Sequence, residues 1–336
     1  MEAGVAAPRP PTPLARVADA ARRRPGVTAL AIIALVAIWL IADNGLQLWA
    51  QRSVNGLVAG SYFALGAVGL TLVYGILKLV NFAHGDMLTF GVYIAFVVSV
   101  TLGAPFVVGV LAAMVATAAL GVSFEHTLFR PMRERKAGIL QLLLLTIGLA
   151  FLLRNTIQLI AGSDIKRLDV DVTSSISFLG LRIGTTELIV VIVGFTVLAL
   201  VAAMLRYTSL GRQMRALSDD FALAETAGID TDRVVLATWV IAGGLAGLAG
   251  GMLGAVQGTI SPNIGFFILL ALFASVILGG IGDAYGALAG GIILGLAQEW
   301  STLVIEARWK VAVAFVILIL VLVVRPQGVF GSERTL

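Results

Sequence analysis

Ten apolar runs follow one another down the chain, at about 27–42, 53–77, 87–102, 105–128, 138–161, 187–205, 234–256, 266–281, 284–300 and 309–324. About 20 apolar residues in a helix cross the roughly 30 Å of hydrocarbon in a bilayer. A chain made of such runs cannot cover a water-facing surface. Only 12% of its residues are charged, where soluble domains carry about 25%. The chain therefore reads as an all-α polytopic integral membrane protein with about ten transmembrane spans. The runs of 16 or 17 residues also fit tilted helices, half-helices or re-entrant pieces.

Charge placement orients this stack. With both termini inside, the inner segments (1–26, 78–86, 129–137, 206–233, 282–283 and 325–336) hold sixteen Lys and Arg, against five in the outer ones. That bias follows the positive-inside rule, and it gives the pI near 9.7 a simpler origin than nucleic-acid binding. The expected layout is a disordered basic cytoplasmic segment at 1–26 and an accessory helix at 27–42. A permease-like core at 43–324 and a cytoplasmic tail at 325–336 follow. Arg22–Arg24 before an apolar run resembles a secretory signal, but no small-x-small cleavage site and soluble domain follow, so an anchor is the better reading.

The 38 glycines suit helices that pack without a hydrophobic driving force. Gly243, Gly247 and Gly251 recur every four residues, with Gly250, Gly254 and Gly258 as a second row, and Gly282, Gly286 and Gly290 repeat the spacing. Close helix packing is expected at these positions, in a bundle around a narrow pathway.

Machinery for chemistry is scarce. There is no cysteine, no GxxxxGK[ST] phosphate loop, no HExxH and no GxSxG, so ATP hydrolysis and the common nucleophilic mechanisms are not expected of this chain. The polar stretch VNFAHGD holds Asn81, His84 and Asp86 inside apolar surroundings. Two residues apart, His84 and Asp86 occupy different faces of a helix, so a metal site needs irregular backbone there. The stretch is either a polar turn at the inner face or a helix break within the bilayer beside a transport path, and the charge bias favours the turn. Ser261-Pro262-Asn263, Ser275 and the Gly279–Gly282 interruption are further candidates for breaks near the path. Arg154 lies inside the run 138–161 and is expected to snorkel outward or to line an aqueous cavity. Glu125 and His126 read as the polar end of a span that Pro131 stops.

The longest polar stretch on the inner side is 206–233. Ser218 is expected to cap a helix over about 218–228, with Asp219 and Asp220 in its first turn. Phe221, Ala224 and Ala227 would share one face, and Gly228 would end the helix in the left-handed region. A short helix capped at both ends between two spans suits docking into a groove of a cytoplasmic partner.

The residues NGLVAGSYFALGAVGLTLVYGILKLVNFAHGDMLTFGVYIAF resemble the start of the branched-chain amino acid ABC transporter permeases. GRQMRALSDDFALAETAGIDTDRV, GTISPNIGF and ILGGIGDAYGALAGGIILG are similar to that family's coupling loop and later spans. The resemblance runs from about 52 to 331. It implies a permease subunit with the second, vitamin-transporter-like importer architecture, resident in the inner membrane. It also implies a homologous second permease, two ATPase subunits that bind ATP and Mg, and an extracytoplasmic binding protein facing the loop 162–186. Asp219, Asp220, Glu225 and Gly228 would stand at the ATPase contact. Relatives that carry amides, urea or small carboxylates leave the substrate open. An ion-coupled secondary transporter, the main alternative of another class, would draw on Asp86 or Glu299.

Overall fold

The computed structural model describes residues 25–325 and 327–329. Most of the expected basic N-terminal segment (1–24) and most of the expected tail (326 and 330–336) lie outside the described residues. Each of the ten apolar runs falls on a helix. They are α1 (Pro25–Asn44), α2 (Leu46–Leu77), α3 (His84–Phe96, prolonged by a π turn at Val97–Thr101), α4 (Phe106–Phe124), α6 (Ile139–Ala161), α7 (Thr185–Tyr207), α10 (Thr231–Gln257), α11 (Ile264–Gly279), α12 (Ala284–Ser301) and α13 (Lys310–Val324). Seven helical segments among the described residues are long and apolar enough to cross a bilayer, and Ala31–Asn44 and Ile264–Gly279 are shorter apolar helices.

Pro131 does not stop its helix as expected. A π turn at Glu125–Phe129 joins α4 to α5 (Arg130–Glu134). The proline then sits in the first turn of α5, where no N–H is needed. Between α6 and α7 lie β1 (Lys166–Arg167) and the antiparallel hairpin β2 (Ser175–Phe178)–β3 (Leu181–Gly184), while β4 (Thr259–Ile260) follows α10 and pairs with β1. This side of the molecule is the hairpin end. The opposite side, the loop end, carries α8 (Ser209–Asp219) and α9 (Phe221–Thr226).

The described chain repeats itself upside down. α2 ends at Leu77, Lys78 follows at φ 51, and α3 starts at His84. One constant separation later, α10 ends at Gln257, Gly258 follows at φ 64, and α11 starts at Ile264. The packing follows the same relation: α2 lies on α12 as α10 lies on α4, and α3 packs on α4 as α11 packs on α12. At the centre the first turns of α3 and α11 touch through Gly85 and Gly265. A methyl on Gly85 would stand 3.0 Å from the carbonyl carbon of Gly265, and one on Gly265 would overlap the backbone of Gly85. A contact in which two equivalent residues meet each other marks a two-fold axis. From that point α3 runs toward the hairpin end beside α10, and α11 toward the loop end beside α2, in the manner of inverted repeats with broken helices.

Small residues close the long helix pairs. A methyl on Gly243 would lie 2.7 Å from Cα of Ala118, and one on Gly247 2.6 Å from the oxygen of Ala113, so this row seats α10 on α4, with Gly251 against Val110. Gly286 and Gly290 face the Gly279 and Ser275 carbonyls of α11, while Gly291 and Gly295 receive α2 at Ala64 and Gly60. Gly282 departs from the expectation of helix packing: it lies in the turn after α11 at φ 86, where its left-handed backbone rather than its size is used. Ser275 lies within α11. It is fully buried, and its hydroxyl is returned to the Ala271 carbonyl at 2.8 Å.

Candidate functional site

The polar stretch 78–86 climbs into the bundle. Lys78 stands at the loop end, its Nζ donating to the Ser218 carbonyl at 2.8 Å. Six residues later, His84 Nε2 lies 3.0 Å from the Gly66 carbonyl, roughly 16 Å back along α2 from its end at 1.5 Å per residue. An acceptor at that distance places the imidazole proton on Nε2. The expected turn at the inner face is therefore corrected to a helix break deep among the helices. The short extended segment leaves backbone groups without helical partners, and side chains take them up. Asn81 Oδ1 accepts from Ala83 N at 3.1 Å, and the Thr146 hydroxyl of α6 shares its proton between the Leu143 carbonyl at 2.8 Å and the Val80 carbonyl at 3.2 Å.

The centre of the site is an ion pair. Asp86 is fully buried in the first turn of α3, and Arg154 of α6 grips it with two parallel bonds, Nε to Oδ1 and Nη2 to Oδ2, both 2.9 Å. The guanidinium also lies 4.3 Å from the ring centre of Phe266 on α11. Arg154 thus turns inward and does not snorkel. Bidentate geometry suits arginine and carboxylate, and Asp86 stands in the first turn of α3, where the helix dipole favours an acidic side chain. Thr89 completes the crossing, its Oγ1 accepting from Gly265 N at 3.0 Å. His84 and Asp86 reach different helices, so they do not share a ligand. Half of the pairing was within reach of the sequence, because Arg154 is a lone charge inside an apolar run and requires a partner, whereas Asp86 falls in the polar segment 78–86.

The second junction is built otherwise. Residues 258–263 descend from the hairpin end to α11, held by β4 on β1 and by Leu168 N donating to the Gly258 carbonyl at 3.0 Å. Asn263 occupies the cap position without a side-chain cap bond, and the Ser261 carbonyl accepts from Ile264 N at 3.1 Å. At the hairpin end a cavity of about 310 Å³ is lined by Gln51, Asn55, Asp171, Arg182 and Glu187, with Val256 at the end of α10. Asp171 is held well below the usual carboxylate range by bonds from the Ser174 and Thr173 hydroxyls and backbone amides. Glu299, a candidate for ion coupling in the sequence, pairs instead with Lys310 and stands 3.8 Å from Arg52.

At the loop end the expected single helix divides in two. Ser218 sits inside the last turn of α8, whose cap is Thr208, accepting from Gly211 N at 3.1 Å. Asp219 ends α8, and Asp220 caps α9 by accepting from Leu223 N at 2.9 Å. Either residue type can cap; the helical turns from Ser209 onward take Ser218 and leave the next polar residue for the role. Gly228 closes α9 at φ 84. Phe221, Leu223 and Glu225 are exposed, while Ala224 is buried. Glu125 was expected at an interface but is buried, bound by Trp239 Nε1 at 2.8 Å and by the Arg133 guanidinium, Nη1 at 3.1 Å.

Residues 52–322 match the family model described as branched-chain amino acid transport system / permease component. The chain belongs to this family. It is 36% identical over 298 residues to the high-affinity branched-chain amino acid transport system permease protein LivH of Salmonella typhimurium, covering 84% of this chain and 96% of that one. It is 34% identical over 300 residues to BraD of Pseudomonas aeruginosa, a permease of the same description, covering 85% and 97%. A second kind of permease, LivM of Escherichia coli, is 29% identical over 126 residues, covering 37% of this chain and 29% of that one. No solved structure matches the chain. A family of transport permeases and seven long apolar helices together make this a multi-pass membrane protein with a transport role.

Proposed function

We propose that the chain is one permease subunit of an ATP-driven importer of branched-chain amino acids. The observation that carries this reading is the near full-length similarity to LivH and BraD, proteins described by that transport system. The similarity to LivM as well as LivH supports a pair of homologous permeases. Two ATPase subunits would bind ATP and Mg on the loop end, which would face the cytoplasm with both termini. An extracytoplasmic binding protein would deliver substrate to the hairpin end, above the polar cavity.

In this reading α9 is the docking element, offering Phe221, Leu223 and Glu225 to the ATPase between the Asp220 cap and Gly228. Motion of α8 and α9 would pass through the Lys78–Ser218 contact into the segment 78–83, and so to the junction where Asn81, His84 and Asp86 fix α3. The branched aliphatic side chain can pass apolar walls, while the ammonium and carboxylate of the substrate need polar groups or water along the path, and selection can rest with the binding protein.

Reconstitution of the complete complex in liposomes tests this. Uptake of leucine, isoleucine or valine should require ATP and the binding protein, and Asp220→Ala, which removes a cap worth about 1 kcal/mol, should cut substrate-stimulated ATPase while assembly persists. Uptake without ATP or partners would turn the reading to a secondary transporter. Unchanged ATPase binding and stimulation in the variant would remove α9 from the docking role.

A further inference from the structure

The hairpin β2–β3 exposes apolar side chains at its tip. Directly opposed residues of an antiparallel pair share a face, so Ile176 with Ile183 and Phe178 with Leu181 make one apolar face, and Ser175, Ser177 and Arg182 make a polar one. The polar side borders the cavity. Ser175 and Arg182 line the cavity, and Gln51 of α2 both accepts from Arg182 N at 2.8 Å and donates to the Arg182 carbonyl at 2.7 Å. On β2 the apolar Ile176 and Phe178 are exposed, as is Leu179 in the turn, with Phe178 73% and Leu179 83% exposed, while Leu181 and Ile183 of β3 are half-buried.

The turn itself breaks a local rule. Leu179 at φ 51 and Gly180 at φ 80 are both left-handed, a geometry that favours Asn or Asp ahead of glycine. A leucine there is strained and gains no packing within the chain. Such a violation without internal return points to a contact outside it.

The height of the tip identifies that contact. The Gly180 carbonyl accepts from Gln47 Nε2 at 3.1 Å, in the first turn of α2, beside the exposed Leu46 and Leu48. Two residues further along α2, the rings of Trp49 and Trp300 meet at 5.7 Å, and beyond them lies the Arg52–Glu299–Lys310 cluster. Tryptophan and paired charges mark where hydrocarbon gives way to headgroups. We propose that Phe178 and Leu179 seat in the headgroup–acyl boundary of the bilayer, and that the lipid surface supports the hairpin as the outer wall of the polar cavity. This rests on the chain's crossing a bilayer and not on what it carries.

The cysteine-free sequence permits a direct test. Leu179→Cys, Phe178→Cys and, on the polar face, Ser177→Cys are each labelled with an environment-sensitive fluorophore. The assembled complex is then placed in nanodiscs of phosphatidylethanolamine and phosphatidylglycerol doped with shallow spin-labelled lipid. Labels at 178 and 179 should be quenched roughly twofold or more beyond the label at 177, as expected for a residue at the acyl boundary. Equal quenching of all three by aqueous iodide, with none by lipid, would overturn the proposal. So would protection that arises only on adding the binding protein, which would assign the tip to a protein contact. Positions 178 and 179 report independently if either variant fails to assemble.

Discussion

The two re-entrant junctions, 78–83 before α3 and 258–263 before α11, share a backbone course and differ in what holds it. The first is pinned by three side-chain contacts to two helices: His84 to α2, and Val80 and Asp86 to Thr146 and Arg154 of α6. The second is held by main chain, through β4 on β1 and the Gly258 carbonyl. A helix broken inside an apolar bundle must find partners for its loosened backbone. Near the hairpin end a passing loop supplies a strand. At the equivalent junction entering from the loop end, polar and charged side chains supply them.

The contrast can be broken most severely at Asp86. Asp86→Ala leaves Arg154 buried without its anion, a loss of about 3–5 kcal/mol, and should abolish assembly or transport; Asp86→Asn with Arg154→Gln should recover much of the folding, read by thermal stability in detergent. Preserved stability in the single variant would mean the pair does not hold the junction. A smaller effect is expected where the junctions meet. Gly265→Ala puts a methyl against the Gly85 backbone, and overpacking of that kind costs about 1–3 kcal/mol. It should loosen both junctions together, visible as faster hydrogen exchange at 79–86 and 258–264; exchange at one alone would argue against the shared axis.

The smallest effect sharpens the difference by pH. Asp171 orders the loop that carries β1, and its carboxyl is depressed by the Ser174 and Thr173 bonds. A depressed carboxyl contributes stability above its unfolded pKa and loses it as pH falls through the folded value. Acidification below the usual carboxylate range should therefore raise exchange at 258–263 modestly and leave 78–83 unchanged, and Asp171→Asn should remove that dependence.

The apolar runs were legible because length and hydropathy suffice to specify an apolar helix, and each run falls on one, with seven helical segments among the described residues long enough to cross a bilayer. Depth was not legible. Nothing in NFAHGD tells a turn at the surface from a break inside, since both need Asn81 to cap loose amides and both follow a lysine. The inverted repeat escaped notice for a related reason: His84 and Ile264, or Lys78 and Gly258, occupy equivalent places with unrelated side chains, so the symmetry is one of backbone. At the loop end Ser218 and Asp220 offer nearly equal capping energies, and the phase of α8, a tertiary matter, decides between them.

The bond between Asp86 and Arg154 also bears on biosynthesis. The two residues are 68 positions apart, so the carboxylate leaves the ribosome well ahead of its cation. In that interval α3 carries an unpaired anion that hydrocarbon rejects. Insertion of the first helices is thereby tied to the arrival of α6, and the order of synthesis is written into the charge pattern.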